Sequence, residues 1–364
     1  MRLWKKILLL LLGLGLVLYL ALLAILTARE YMPAEREELS VVHAGNAQPL
    51  VCDEEGLTIR LLSWNIGHAG GDAQADSFRE GGWGVSADAL TVHGNLAAIA
   101  AFLHACSPDF LFLQEVDYAS ARSGGVDERE SFTWMQERAY APDFVCPYVP
   151  YPLAAMGRVN SGLMTLASHP LLHADRVSLP ACFRRPASAM EPKRCLLVSR
   201  TPVQDTDREL VLVNFRLESY DSGAAGRAAQ TAALLSFLER EYRKGNYVVA
   251  GGDFSQLLPG TEDAYPQRAS RRRTPPALSA ALPEGGWRLA FDSATPTRRL
   301  LDRPYDAESE KTQFFCTDGF LLSPNVELER MRTLDTAFRW SAHNPVMLEM
   351  HLPPPSAERA PETD

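Results

Sequence analysis

The chain has 364 residues, room for one large domain or two ordinary ones with a sizeable core. Its 45 acidic and 36 basic side chains leave a formal net charge of −9, which argues against a nucleic-acid binder working mainly through a basic surface. A small anionic substrate held by a few local cations stays compatible with that balance.

Ile7 to Leu26 runs twenty residues without a charge, preceded by Arg2, Lys5 and Lys6. At ~1.5 Å per residue such a helix spans roughly 30 Å, the thickness of a bilayer core. The basic residues before it and Glu30, Glu35, Glu37 and Glu38 after it place residues 1–6 in the cytoplasm and the rest of the chain outside. The run is long for a signal-peptide core and no small-x-small cleavage site follows, so 7–26 reads as an uncleaved anchor. Residues 27–56, punctuated by Pro33, Gly45 and Pro49, read as a linker lifting the domain off the membrane.

From Leu57 the composition turns globular, and one domain is expected over 57–352. Leu57 to Ile66 alternates as a strand and stops at Gly67, and Gly67 to Asp88 is a long loop. Leu90 to Cys106 has helical spacing at Leu96, Ile99 and Leu103, and Ser107-Pro108 ends it. Strands are expected at 109–115, 161–167, 194–200 and 209–217, the last two as an antiparallel pair. A helix follows over 224–243, then the strand Tyr247-Val-Val-Ala-Gly-Gly-Asp253. Residues 257–285, with Arg268, Arg271, Arg272 and Arg273, read as a loop insertion. Strands over 312–322 and 346–351 close the domain, and 353–364 is a tail. Six cysteines match no zinc spacing and no dense disulfide framework. Cys182 with Cys195 is the first pair to test.

Successive strands end in polar residues: Asn65, Glu115, Asn214 with Arg216, and Asp253. Asp318 lies in a later strand and His343 stands just before the last. One such placement is ordinary, whereas this many imply convergence on one rim. The blocks Leu62-Ser-Trp-Asn-Ile-Gly67, Leu113-Gln-Glu-Val-Asp117, Val213-Asn-Phe-Arg-Leu217, Gly251-Gly-Asp-Phe-Ser255, Thr317-Asp-Gly-Phe-Leu321 and Ser341-Ala-His-Asn-Pro345 occur in one order across nearly all of 57–352. Together they resemble the endonuclease/exonuclease/phosphatase family of metal-dependent phosphoesterases.

The resemblance implies a four-layer α/β/β/α sandwich, two packed mixed sheets flanked by helices. It implies Glu115 as principal metal ligand with Asn65 beside it, holding Mg²⁺ or, in its place, Mn²⁺. Asp253 would orient or deprotonate water, His343 would contact the phosphate or act as acid–base partner, and Asn214 would hold the site's hydrogen bonds. Three positions depart from the family's pattern. Arg216 stands for a histidine, Ser255 for a phosphate-facing asparagine, and Ala342 for the aspartate that steers the last histidine. The expected function is a membrane-anchored, outward-facing hydrolase of a phosphodiester or phosphomonoester. The alternative is a non-catalytic phosphate- or anion-binding module in which Arg216 grips the ligand. A nuclease acting outside the cell suits the acidic balance least. His68, His93, His104, His169 and His173 show no metal spacing and are taken as structural, and the loop around Trp83 overhangs the pocket or packs on the surface.

Overall fold

Alternation along the strands decides the layering, because successive side chains of a strand point to opposite faces. Ile59 and Leu61 pack with Phe110, Phe112, Leu210, Leu212, Tyr247, Val249 and Phe320 in one buried cluster. Their neighbours Leu62 and Trp64 face the other way, onto Leu96, Ile99 and Leu103 of the helix Ala89–Cys106. Val211, Val213, Val248 and Ala250 likewise turn onto Leu234, Phe237 and Leu238 of the helix Ala225–Tyr242. Two sheets therefore meet face to face and each carries a helix on its outer side. The computed structural model describes residues 3–45, 47–204, 206–220, 225–266, 274–278 and 282–354.

The first sheet runs, in spatial order, Arg36–Leu39, His173–Ser178, Cys195–Pro202, Glu209–Arg216, Tyr247–Asp253, Asp318–Leu322, Arg288–Ala290. The second runs Glu327–Thr333, Val346–Leu352, Leu57–Asn65, Phe110–Asp117, Gly157–Ala167, Glu137–Val149, Val41–His43. Both are seven-stranded and mixed, so the four-layer sandwich is borne out. Each sheet has one parallel pair near its middle, Glu209–Arg216 with Tyr247–Asp253 and Leu57–Asn65 with Phe110–Asp117. Parallel strands end at the same edge, which brings Arg216 level with Asp253 and Asn65 level with Gln114. A short pair, Arg298–Arg299 with Phe314–Phe315, stands apart.

Several expected boundaries shift. The strand expected over 312–322 splits into Phe314–Phe315 and Asp318–Leu322, which join different sheets. Residues 27–56 are not a free linker: Arg36–Leu39 and Val41–His43 add an edge strand to each sheet and so staple the two together. Cys195 is a free thiol buried among Ala139, Ala141, Leu163 and Leu197, so the Cys182–Cys195 pair does not form. Arg268 and Arg271–Arg273 lie outside the described residues, as does most of the tail.

The N-terminal helix extends over Leu3–Ala28, 26 residues that include an 18-residue stretch with a mean hydropathy of 2.9, long and apolar enough to cross a membrane. Its last turns are not free. Leu26 is buried with Phe144, Cys146, Val149 and Met156, and Leu22 packs against the same cluster.

The glycine pair at the end of Tyr247–Asp253 is required by close approach. A Cβ on Gly252 would lie 1.9 Å from the Phe215 carbonyl oxygen, and one on Gly251 would lie 2.4 Å from the Phe320 ring. Backbone cannot yield as a side chain can, so Gly252→Ala is expected to cost about 4 kcal/mol or more. A large drop in the urea midpoint of unfolding checks this.

Candidate active site

Glu115 occupies an irregular point in its strand. Its φ is 55°, and the ladder to Gly157–Ala167 shifts register between Leu113 and Val116. Such backbone is costly for a residue with a side chain and is held only where the surroundings over-determine it. Here it turns the carboxylate out of the pleat into a cleft of about 330 Å³ lined also by His68, Arg122, Arg216, Asp253 and His343. Glu115 Oε1 sits 2.9 Å from Arg216 Nη2 and accepts from Asn65 Nδ2 at 3.1 Å. Burial alone would raise its pKa, but Arg216, with His68 and Arg122, outweighs burial and holds the carboxyl well below the usual range.

Asp253 is the second carboxylate. It lies opposite both Arg216 and Asp318 in the sheet register. Its Oδ1 accepts the Ser255 N–H at 2.7 Å, while Oδ2 accepts Asn65 Nδ2 at 3.1 Å and lies 3.4 Å from Arg216 Nε. Burial pushes its pKa up, and the charges of His343, Arg216 and Arg298 more than reverse that, so it is ionised. One Asn65 amide thus bridges both carboxylates, and Arg216 does so from the other side.

His343 is steered by an aspartate after all. Its Nδ1 lies 3.0 Å from Asp318 Oδ2, and that carboxylate is fixed by the hydroxyls of Thr297 at 2.7 Å and Thr317 at 2.9 Å. The expectation that Ala342 removes the steering group is therefore corrected: the partner comes from a strand of the other sheet, not from the adjacent residue. Burial lowers the His343 pKa, but Asp318 and then Asp253 outweigh it, and the net shift is upward. Ser341 Oγ ties this corner to the end of the first strand by donating to the Asn65 carbonyl at 2.7 Å.

Two expected roles move away from the cleft. Asn214 is fully buried between the sheets, accepting Gln114 Nε2 at 2.8 Å and donating to the Leu113 and Met164 carbonyls at 3.1 and 3.0 Å. It locks one sheet to the other beneath the site. Ser255 Oγ pairs with Ser219 Oγ at 2.9 Å, so it does not replace a phosphate-facing amide.

The remaining wall is richer in arginine than sequence reasoning anticipated. Arg79, Arg122, Arg194 and Arg298 line the cleft with Arg216. Arg122 forks onto Asp117 with two 2.8 Å bonds, Arg194 reaches Asp143 at 2.7 Å and Glu218 at 3.1 Å, and Arg298 pairs with Glu80. Carboxylates behind them hold these guanidinium groups in place, a preorganised set of donors for phosphate oxygens. The partners of Arg194 and Arg298 are distant in sequence, whereas Arg122 reaches back five residues to Asp117 at the end of the preceding strand. His68, taken as structural, also borders the cleft: its Nδ1 is buried without a hydrogen-bond partner, 3.6 Å from Glu115 Oε2.

These contacts test the fit of a divalent ion. Among the described residues, Asp253, Asp318 and His343 bring ligating atoms within 4.8 Å of one another. Asp318 and the His343 Nδ1 are already committed to each other and to two threonines, so an ion there would have to break that pair. Glu115 Oε2 fits better. His68 Nδ1 at 3.6 Å and Arg122 Nη1 at 3.9 Å are both too far from it for hydrogen bonds, and it opens to the cleft. Asn65, expected to ligate, shows the carboxylates its nitrogen while its oxygen accepts the Gly67 N–H at 3.0 Å.

A family model described as the Endonuclease/Exonuclease/phosphatase family matches residues 62–337. Among solved structures, an endonuclease/exonuclease/phosphatase from Beutenbergia cavernae is 17% identical with a TM-score of 0.53, over 81% of this chain and 72% of that one. TDP2 from Caenorhabditis elegans is 15% identical with a TM-score of 0.51, over 82% of this chain and 76% of that one. ANGEL2, described as a 2',3'-cyclic phosphatase and solved with adenosine-2',3'-vanadate, is 14% identical with a TM-score of 0.52, over 87% of this chain and 99% of that one. At these identities the likeness establishes the fold and nothing finer. A search of curated proteins finds no match.

Proposed function

Because the chain belongs to the endonuclease/exonuclease/phosphatase family, whose members generally depend on a divalent metal, we propose that it is a membrane-anchored, outward-facing hydrolase of a phosphate ester. One observation carries this reading: Glu115, Arg216, Asp253 and His343, from both sheets, border a single cleft. The activity named for ANGEL2, a 2',3'-cyclic phosphatase of the same fold, agrees with it.

In this reading Asp253, ionised and aimed by Asn65 and Ser255, orients the attacking water and accepts its proton as the water oxygen bonds to phosphorus. The ester P–O bond breaks, and the departing alkoxide takes a proton from His343, whose imidazolium is held by Asp318. Arg216 and Arg122 offer donors to the non-bridging oxygens as negative charge gathers on them. Glu115, with His68 beside it, would hold Mg²⁺, which would neutralise part of that charge. The test is turnover by the purified full-length chain with Mg²⁺ on a generic phosphodiester and a generic phosphomonoester. Activity no higher than that of Asp253→Ala defeats the reading.

The pH profile should carry the signature of His343. Asp318 and Asp253 raise its pKa while burial and Arg298 oppose them, and the raised value wins. A proton donor with a raised pKa is fully charged below its ordinary value, about 6.5, and is lost as pH rises through the raised one. Turnover should therefore fall on the alkaline side, and Asp318→Asn should move that limb to lower pH. An alkaline limb unmoved by Asp318→Asn would remove His343 from the proton path.

A second reading has its own observation. Arg216 already pairs with both Glu115 and Asp253, and with the other arginines of the wall the cleft can serve as a phosphate- or anion-binding module without turnover. Ligand-induced stabilisation by inorganic phosphate, independent of metal and abolished by Arg216→Ala, would favour it. Turnover in the unmodified protein would remove it.

A further inference from the structure

The cleft has a second wall that the chemistry at Glu115 and Asp253 leaves unused. Phe78, Val85, Phe144 and Met156 line the cleft together with the charged groups. Phe144 and Met156 belong to the apolar cluster that buries Leu26 of the N-terminal helix, and Phe78, Val85 and Leu22 pack against that same cluster. An unbroken apolar path therefore joins the last turns of the helix to the inside of the cleft. Arg79 sits where the two walls meet, 5.7 Å from the Tyr151 ring centre and 5.1 Å from that of Tyr220.

The helix leaves the domain at a fixed point. Glu30, just past its end, is clamped by Lys193 Nζ and Arg185 Nε, each at 2.7 Å, and by Ser188 Oγ at 2.8 Å. The loops that supply the apolar wall carry large side chains pointing outward. Trp83, between Phe78 and Val85, is 91% exposed, and Leu153, in the turn before Met156, is fully exposed. A single exposed apolar residue needs no explanation. A tryptophan and a leucine on two loops that pack on the end of a bilayer-length helix match what sits at a membrane–water boundary.

We propose that the cleft faces the membrane and takes the phosphate of a membrane lipid, with the lipid's apolar part lying along Phe78, Val85, Phe144 and Met156. This rests on the phosphoesterase reading and names its substrate class. A cleft of about 330 Å³ suits one phosphate with a short polyol, not a duplex, and the chain's net charge of −9 argues against a polynucleotide held through a broadly basic surface. A helix whose last turns share a cluster with the cleft wall brings lipid to the site without a soluble carrier.

The test uses the full-length chain in vesicles of equal parts phosphatidylethanolamine and phosphatidylglycerol. A small amount of phosphatidic acid bearing a photoreactive group near the top of its acyl chain is included. Irradiation is expected to label the peptides holding Phe144, Met156 and Val85 as well as the N-terminal helix. Dioctanoyl phosphatidic acid should displace the label from those peptides, glycerophosphate at the same concentration should not, and Trp83→Ser with Leu153→Ser should lower it several-fold. Label confined to residues 3–28, or displaced equally by glycerophosphate, overturns the proposal. Labelling does not need turnover, so a catalytically silent protein still separates the two outcomes, and a soluble-ester hydrolase with label only on its helix loses the lipid assignment alone.

Discussion

Asp253→Asn is expected to lower phosphoester turnover by about 10²–10⁴-fold, the range that a positioned general base supplies. The substitution is nearly isosteric. It keeps an oxygen for the Ser255 N–H, which Asp253 accepts at 2.7 Å, so the loop after the strand should hold its shape. What is lost is the charge that His343 and Arg216 stabilise against burial. An amide can neither take a proton from water nor share the electrostatic grip of Arg216. The loss should therefore fall on kcat, with KM little changed, because phosphate binding is left to the arginines and Glu115. An equal fall in kcat and rise in KM would show Asp253 to be a binding group instead. The unfolding midpoint, measured alongside, should move far less than for Gly252→Ala.

How much of this was legible in the sequence follows from where each signal lies. Strand-end residues were readable because a buried run ending in glycine and a carboxylate is a local pattern. Asn65, Glu115, Asp253 and His343 duly gather at one rim. The two sheets were readable as a class, but Glu137–Val149 was not: its thirteen residues alternate with polar groups and include Pro142, and pairing with Gly157–Ala167 overrides that weak propensity. The chain neighbour of His343 is Ala342, whereas its carboxylate partner, Asp318, stands beside it in space. The same limit hid Arg194 and Arg298, whose carboxylate partners Asp143, Glu218 and Glu80 come from other loops and strands. Residues 36–43 misled in the opposite sense, since charge and proline nearby suggested a linker while edge strands commonly carry charge.

Arg216 is where the two functional readings part, and Arg216→His is expected to tighten Mn²⁺ binding by about 10–100-fold, or roughly 1.4–2.8 kcal/mol. The guanidinium is always charged and lies 2.9 Å from Glu115 Oε1, so any ion at Glu115 is bound against a fixed positive neighbour. A neutral imidazole removes that repulsion and frees one carboxylate oxygen for a metal. It also leaves Glu115 without its strongest stabilising charge, with Asn65, His68 and Arg122 remaining, so its pKa should climb from its depressed value and metal binding should weaken at acid pH. Mn²⁺ titration followed by electron paramagnetic resonance reads this without any turnover. If affinity rises and turnover rises with it, the arginine is a brake on an otherwise metal-dependent hydrolase. If affinity rises while turnover falls, Arg216 itself supports the transition state. Unchanged affinity would mean that the ion, where it binds, does not rest on Glu115, and the metal assignment would have to move to the buried group Asp253, Asp318 and His343.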